Sequence, residues 1–254
     1  MSLFNKILAS VGIGAATVDT KLHRSSYTAG EVVSGVIEIK GGNTEQQIDT
    51  IYLTLSTNYI KEMNDTKYNE TAVIKKIKVN EAFTIRANEL HNIPFSFVLP
   101  ADVPVTMGQT RVWIHTGLDI KSAVDPTDQD YIEVKPTPLA SNILQSVEQL
   151  GFRLRKVDCE AASARLRRNY LFVQEFEFIP TNQAYRRHLD ELEIIFLAQS
   201  DNYAEILMQV DRKARGLSSL LSEALDMDES FVRLTIEAGD NVKAKLQQAI
   251  ERYM

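Results

Sequence analysis

Apolar and polar residues alternate with a period of two along most of the chain, and this pattern predicts strands far more often than helices. Asp49-Thr50-Ile51-Tyr52-Leu53-Thr54-Leu55 and Asp190-Glu191-Leu192-Glu193-Ile194-Ile195-Phe196 repeat one grammar, an aspartate followed by alternating apolar positions. Each predicts a half-buried strand with its apolar side chains on one face. Within Glu31–Lys40, Val33, Ile37 and Ile39 share a face, with Gly30 and Gly41-Gly42 at the ends. Ile93, Phe95, Phe97 and Leu99 alternate up to Pro100, which has no backbone donor to continue a ladder. Val112, Ile114, Thr116 and Leu118 follow the same rule. Further on, Phe172, Phe176 and Phe178 align before Pro180, Ile206 aligns with Met208 and Val210, and Val232 aligns with Leu234 and Ile236.

Helical spacing is confined to short stretches. Phe4, Ile7, Leu8 and Val11 suggest a short amphipathic N-terminal helix, with too small an apolar face and too little charge for stable membrane anchoring. Ile143, Leu144, Val147 and Leu150 suit a second helix, with Ser141 or Asn142 as cap and Gly151 as stop. Leu217, Leu220, Leu221, Ala224 and Leu225 form a third stripe. A last helix is expected from Asp240, with Val242, Leu246, Ile250 and Tyr253 along one side as a candidate docking face, for its own body or for a partner. Two prolines in Lys135-Pro136-Thr137-Pro138 stiffen the chain there. The expected division is therefore residues 1–136 and residues 137–254, each a β-sandwich with its own core.

Composition narrows the function classes. At 254 residues the chain is long for one sandwich and ample for two. A hydrophobic fraction of 44% with 24% charged residues is ordinary for a globular protein. The net charge of −6 argues against a phosphate-binding surface, so nucleic acid is not an expected partner. A single cysteine, Cys159, cannot close an internal disulfide, which suits a reducing, cytoplasmic compartment.

Several longer motifs occur in an order that resembles the bacterial sporulation-control protein family of the stage-zero M type. They are Phe95-Ser96-Phe97-Val98-Leu99-Pro100, Trp113-Ile114-His115-Thr116-Gly117-Leu118-Asp119-Ile120-Lys121 and Asp130-Tyr131-Ile132-Glu133-Val134. Leu150-Gly151-Phe152-Arg153-Leu154-Arg155, Phe172-Val173-Gln174-Glu175-Phe176-Glu177-Phe178 and Asp211-Arg212-Lys213-Ala214-Arg215-Gly216-Leu217 extend the likeness over nearly the whole chain. The resemblance implies two tandem arrestin-like β-sandwiches with a few short helices. It also implies regulation through protein contacts in sporulation and cell-division control, and it brings no catalytic residue set.

The residues supply none by themselves. Cys159 has no histidine nearby in sequence, and Gly216-Leu217-Ser218-Ser219-Leu220 breaks the nucleophile-elbow pattern at its last position. Gly12-Ile13-Gly14 lacks the third glycine of a dinucleotide loop. Asp125, Asp128 and Asp130 are oxygen-rich but lack the spacing and the glycine of a calcium loop, so a solvated turn is the expected reading. His23, His91, His115 and His188 show no paired metal spacing. No cofactor and no metal is expected. The basic cluster Arg153, Arg155, Lys156, Arg165, Arg167 and Arg168, and the group Asp211, Arg212, Lys213 and Arg215, are candidate charged contacts to an acidic partner or between the two halves. The expectation is a non-enzymatic regulator or adaptor whose partner is another protein or a second copy of the chain. A lipid- or small-molecule-binding module is the alternative.

Overall fold

A computed structural model describes residues 15–120, 125–164, 166–211 and 231–252. The expected helices over Phe4–Val11 and Leu217–Leu225 lie outside the described residues, as do Arg165, Arg212, Arg215 and Tyr253.

The first half builds on a three-stranded antiparallel sheet of β1 (Thr17–Leu22), β3 (Val32–Lys40) and β7 (Leu90–Val98), in the order β1-β3-β7. The strand that organises the rest is β4 (Gln46–Met63). One edge of β4 carries β6 (Phe83–Ile85) and β5 (Thr66–Lys78), and the other carries β8 (Val112–Ile120). Beyond β8 follow β9 (Thr127–Lys135) and, in parallel, β2 (Ser26–Thr28). Val33, Ile37 and Ile39 of the small sheet meet Ile51, Leu53, Leu55, Ile114 and Leu118 of the large one, and all are almost fully buried. The period-two reading of β3, β4 and β8 therefore describes the interior of a sandwich.

The second half continues the same large sheet. Strands β10 (Phe152–Ala161), β11 (Phe172–Pro180), β12 (Glu191–Gln199), β13 (Tyr203–Asp211) and β14 (Phe231–Glu237) run antiparallel in sequence order. Helix α1 (Pro138–Gln149), the short α2 (Gln183–Arg186) and α3 (Val242–Glu251) complete the described elements. Ile143, Val147, Leu246 and Ile250 pack with Phe176, Phe178, Leu192, Ile194, Ile206 and Met208 in a second apolar cluster.

Three sequence expectations need correction. Helix α1 starts at Pro138, with Thr137 Oγ1 accepting the Ala140 N–H at 3.2 Å, and not at Ser141 or Asn142. The second proline of the stiff segment is thus the first helical residue, where its missing N–H leaves no bond unmade. Helix α3 is capped by Asn241, whose Oδ1 accepts from Ala244 N; Asp240 instead accepts from Glu237 N and Lys245 Nζ. Finally, β12 is not half-buried. Leu192 and Ile194 face the helices, and Glu191, Glu193 and Ile195 on the opposite face are also buried. Part of the cover there is apolar, from Ala162 and Leu166, which pack on Ile195 and Leu197.

The face of α3, expected to dock on the chain's own body or on a partner, is occupied within the chain. Val242, Leu246 and Ile250 are at most 3% exposed, so they have no surface to offer a second molecule.

Candidate functional site

The two halves are joined by more than a linker. Where β8 leaves the edge of β4, β10 takes its place, through a parallel bridge between Ile60 and Glu160. The loop that precedes β8 reaches across to the second half. Gln174 of β11 clips it: Val105 N donates to Gln174 Oε1 at 2.8 Å, and Gln174 Nε2 donates to Val105 O at 2.8 Å and to Thr110 Oγ1 at 3.2 Å. Val105 belongs to the apolar cluster of the second half, although it lies in the first by sequence.

Gly108 in this loop has φ of +58°, and a Cβ added there would lie 2.2 Å from Val157 O on β10. Only glycine combines that backbone conformation with so close an approach. At the other end of the junction, Asp102 accepts from Tyr170 Oη at 2.9 Å and from Asn169 Nδ2 at 2.7 Å. Tyr59, Phe172 and Tyr170 stack in series, with ring centroids 5.9 and 5.3 Å apart. The junction encloses a cavity of about 50 Å³ beside Asp102, Val105, Leu144 and Tyr170. Drug-sized pockets run to about 300 Å³ or more, so this one is a packing gap. Cys159 is buried against Tyr59 and Phe172 with Sγ 3.6 Å from Thr110 Oγ1, and burial pushes its thiol up to about 12, far from the range of a reactive thiolate.

A second grouping covers the outer face of β10 to β12. Asp158, Glu160, Glu175, Glu177, Glu191 and Glu193 are all under 9% exposed. Arg155 pairs with Glu177 and with Glu191, the latter at 2.7 Å. Lys156 pairs with Asp158 at 2.8 Å and with Glu160 at 3.5 Å. Burial raises Glu175 and Glu193 above the usual carboxylate range, and neighbouring negative charge adds to the rise.

The third feature is exposed. Register places Val73, Ser56, Trp113 and Tyr131 directly opposite one another across β5, β4, β8 and β9. Val73 is 59% and Tyr131 60% exposed, and the Trp113 and Tyr131 rings lie 5.9 Å apart. A shallow groove of about 540 Å³ adjoins Tyr131, lined by Ser25, Thr106, Arg111, Val112 and Glu133.

The charged residues singled out in the sequence do not converge. Arg155 is engaged within its own sheet, while Arg153 and Arg167 are exposed, and Arg168 borders the small junction cavity. The backbone of Asp211 pairs opposite Glu191. The described contacts between halves are largely neutral hydrogen bonds, with Asp102 as the charged member. Asp102, Gln174 and Tyr170 carried no sequence signal, since each acts on a residue 68 or 69 positions away. Among the aspartates, Asp125 accepts from Ile120 N, and Asp128 accepts from Thr20 N and Gln129 N, as turn and strand-end acceptors do. No group of three or more such side chains among the described residues is placed to hold a metal ion.

A large curled β sheet, a small sheet packed on one half of it and helices packed on the other define a mainly β protein. Its described architecture is consistent with the tandem arrangement implied by the sequence motifs. Residues 4–214 match the family model described as SpoOM protein, and the chain belongs to that family. It is 43% identical over 258 residues to the sporulation-control protein spo0M of Bacillus subtilis (strain 168), covering 100% of this chain and 99% of that one. The crystal structure of Spo0M from Bacillus subtilis superposes with a TM-score of 0.87 at 39% identity, over 95% of this chain and 100% of that one.

Proposed function

We propose that the chain is a non-enzymatic, cytoplasmic regulator that works by holding a protein partner on the outer face of β4, β8 and β9. The observation that carries this reading is the row from Val73 to Tyr131. It leaves aliphatic and aromatic surface in water across β5, β4, β8 and β9, beside a groove whose walls include Ser25, Thr106, Arg111 and Glu133. Exposed apolar patches rimmed by polar groups mark interaction sites, and aromatic side chains dominate the energy of such contacts. Likeness to a sporulation-control protein supports the regulatory role, and the rigid junction between the halves supports a scaffold that presents a fixed surface.

The test compares two baits in cross-linked capture from the native host: the unaltered chain and a Val73→Ser/Tyr131→Ala variant of equal thermal stability. Loss of specific captured proteins with the variant is the expected result. An unchanged set of captured proteins would move the docking surface elsewhere. Capture of nothing by the unaltered chain, with sedimentation on anionic vesicles, would replace the protein-binding reading with the lipid one.

A further inference from the structure

The outer face of β5, β4, β8 and β9 carries charge as well as rings, and its sign runs against that of the chain. Lys76 and Lys78 stand opposite Thr54 and Tyr52 on this face, and both are exposed. Lys135, also exposed, follows Tyr131 and Glu133 on the same side of β9. Arg111 borders the groove beside Tyr131. Its Nη1 donates to Gly108 O at 3.1 Å and to Thr110 O at 3.0 Å, which holds the guanidinium in place without neutralising it. Lys76 Nζ lies 4.0 Å from the centre of the Tyr52 ring. Among the described residues Lys76, Arg111 and Lys135 have no carboxylate partner, whereas Lys78 pairs with Glu81 at 3.0 Å.

Carboxylates on this face are fewer and more dispersed. Glu133 borders the groove, Asp119 lies at the far end of β8, and Glu62 sits by the turn between β4 and β5, opposite Lys67. The whole chain has a net charge of −6, so a face on which cations prevail is a local departure.

We propose, resting on the reading of this face as a protein-docking surface, that the segment it holds is acidic and extended. Its apolar side chains cover Val73 and Tyr131, and its carboxylates meet Lys76, Arg111 and Lys135. The row from Val73 to Tyr131 crosses three strand spacings, about 14 Å, which is the length of about four residues of extended chain. Residues that far apart in an extended chain share a side, so one segment laid across the strands reaches both exposed anchors. Opposite charge speeds its encounter with the face and turns away basic competitors.

Two other occupants fit less well. A second copy meeting this face through a two-fold axis sets its cations against themselves. Single-stranded nucleic acid also favours rings beside cations, but it carries a charge at every phosphate towards a chain of net charge −6, and Val73 offers no ring to stack on.

The experiment uses the full chain and two short fluorescein-labelled peptides. One is rich in glutamate, with a leucine and a phenylalanine about four positions apart, and the other is its copy with lysine for every glutamate. Anisotropy is expected to show the acidic peptide bound at least about tenfold more tightly than the basic one at about 50 mM salt, with the preference shrinking towards about 300 mM. Lys76→Gln/Lys135→Gln should weaken the acidic peptide about fivefold and leave the thermal midpoint little changed, since both side chains are exposed. Equal binding of the two peptides, binding of neither, or no effect of Lys76→Gln/Lys135→Gln overturns the acidic segment. The docking surface itself then stands as long as Val73→Ser/Tyr131→Ala still loses captured host proteins; if that variant loses none, the surface and the proposal fall together. Tighter binding of a labelled uridine oligomer than of the acidic peptide assigns the face to nucleic acid. A dimer in light scattering that Tyr131→Ala dissolves assigns it to a second copy, and either result overturns the proposal.

Discussion

Replacing Gln174 by alanine removes a clip whose two ends grip the same backbone residue. Val105 N loses its acceptor, Val105 O loses one of two donors and keeps Met107 N at 2.9 Å, and Thr110 Oγ1 loses a donor. A buried backbone group left unpaired costs about 1–3 kcal/mol. Gln174 is only half-buried, so water reaches part of the vacated space, and the lower end of that range applies to Val105 N. The expected loss is about 1–2 kcal/mol, or about 2–8 °C in thermal midpoint for a chain of this size. Trp113, the sole tryptophan, sits in the first half and reports its unfolding by fluorescence, while far-ultraviolet dichroism reports both halves. In the wild type the two signals should move together in urea. In Gln174→Ala the dichroism should begin to fall before the fluorescence, because the second half has lost the segment that supplies Val105 to its core. Gln174→Glu keeps an acceptor for Val105 N and no donor for Val105 O, so it should fall between the two. A Gln174→Ala protein within about 0.5 kcal/mol of wild type, with coincident transitions, would refute the view that this clip couples the halves.

Two further outcomes are open to direct test. Residues 1–136 contain their entire apolar cluster and should give a dispersed amide spectrum alone. Residues 137–254, deprived of Val105 and of the β4 edge, should unfold at lower urea than the same region in the full chain; equal stability would show that the junction contributes nothing. Burial, with the negative charges of Asp128 and Asp19, raises Asp130 to about 6 from an ordinary 3.8. A carboxyl raised on folding stabilises most below its unfolded value and loses that contribution as pH rises through the folded one. Asp130→Asn should therefore raise the thermal midpoint at neutral pH, with a gain that shrinks towards about pH 4. A gain independent of pH would point to a cause other than titration.

Strand identity was legible in the sequence because a strand's period depends only on its own residues. Val33, Ile37 and Ile39, Ile51, Leu53 and Leu55, and Ile206, Met208 and Val210 are apolar at every second or fourth position, and each set is buried. The apolar faces of α1 and α3 were legible for the same reason, with only their caps misplaced by one to five residues. What covers the opposite face of a strand is a different matter. Glu175, Glu177, Glu191 and Glu193 alternate with apolar residues in a pattern that reads as solvent-facing, yet they lie buried side by side. Their burial and shared charge arise only when β10, β11 and β12 come into register, because desolvation and carboxyl–carboxyl contact are properties of neighbours in space. The junction follows the same logic. Nothing local to Gln174 or Asp102 distinguishes it from a surface polar residue, and its role appears only when the fold closes a gap of nearly 70 residues to bring Val105 or Tyr170 within hydrogen-bond reach. The alternating pattern thus determined which face of each strand turns inward, and tertiary packing decided which polar groups were left to satisfy one another away from water.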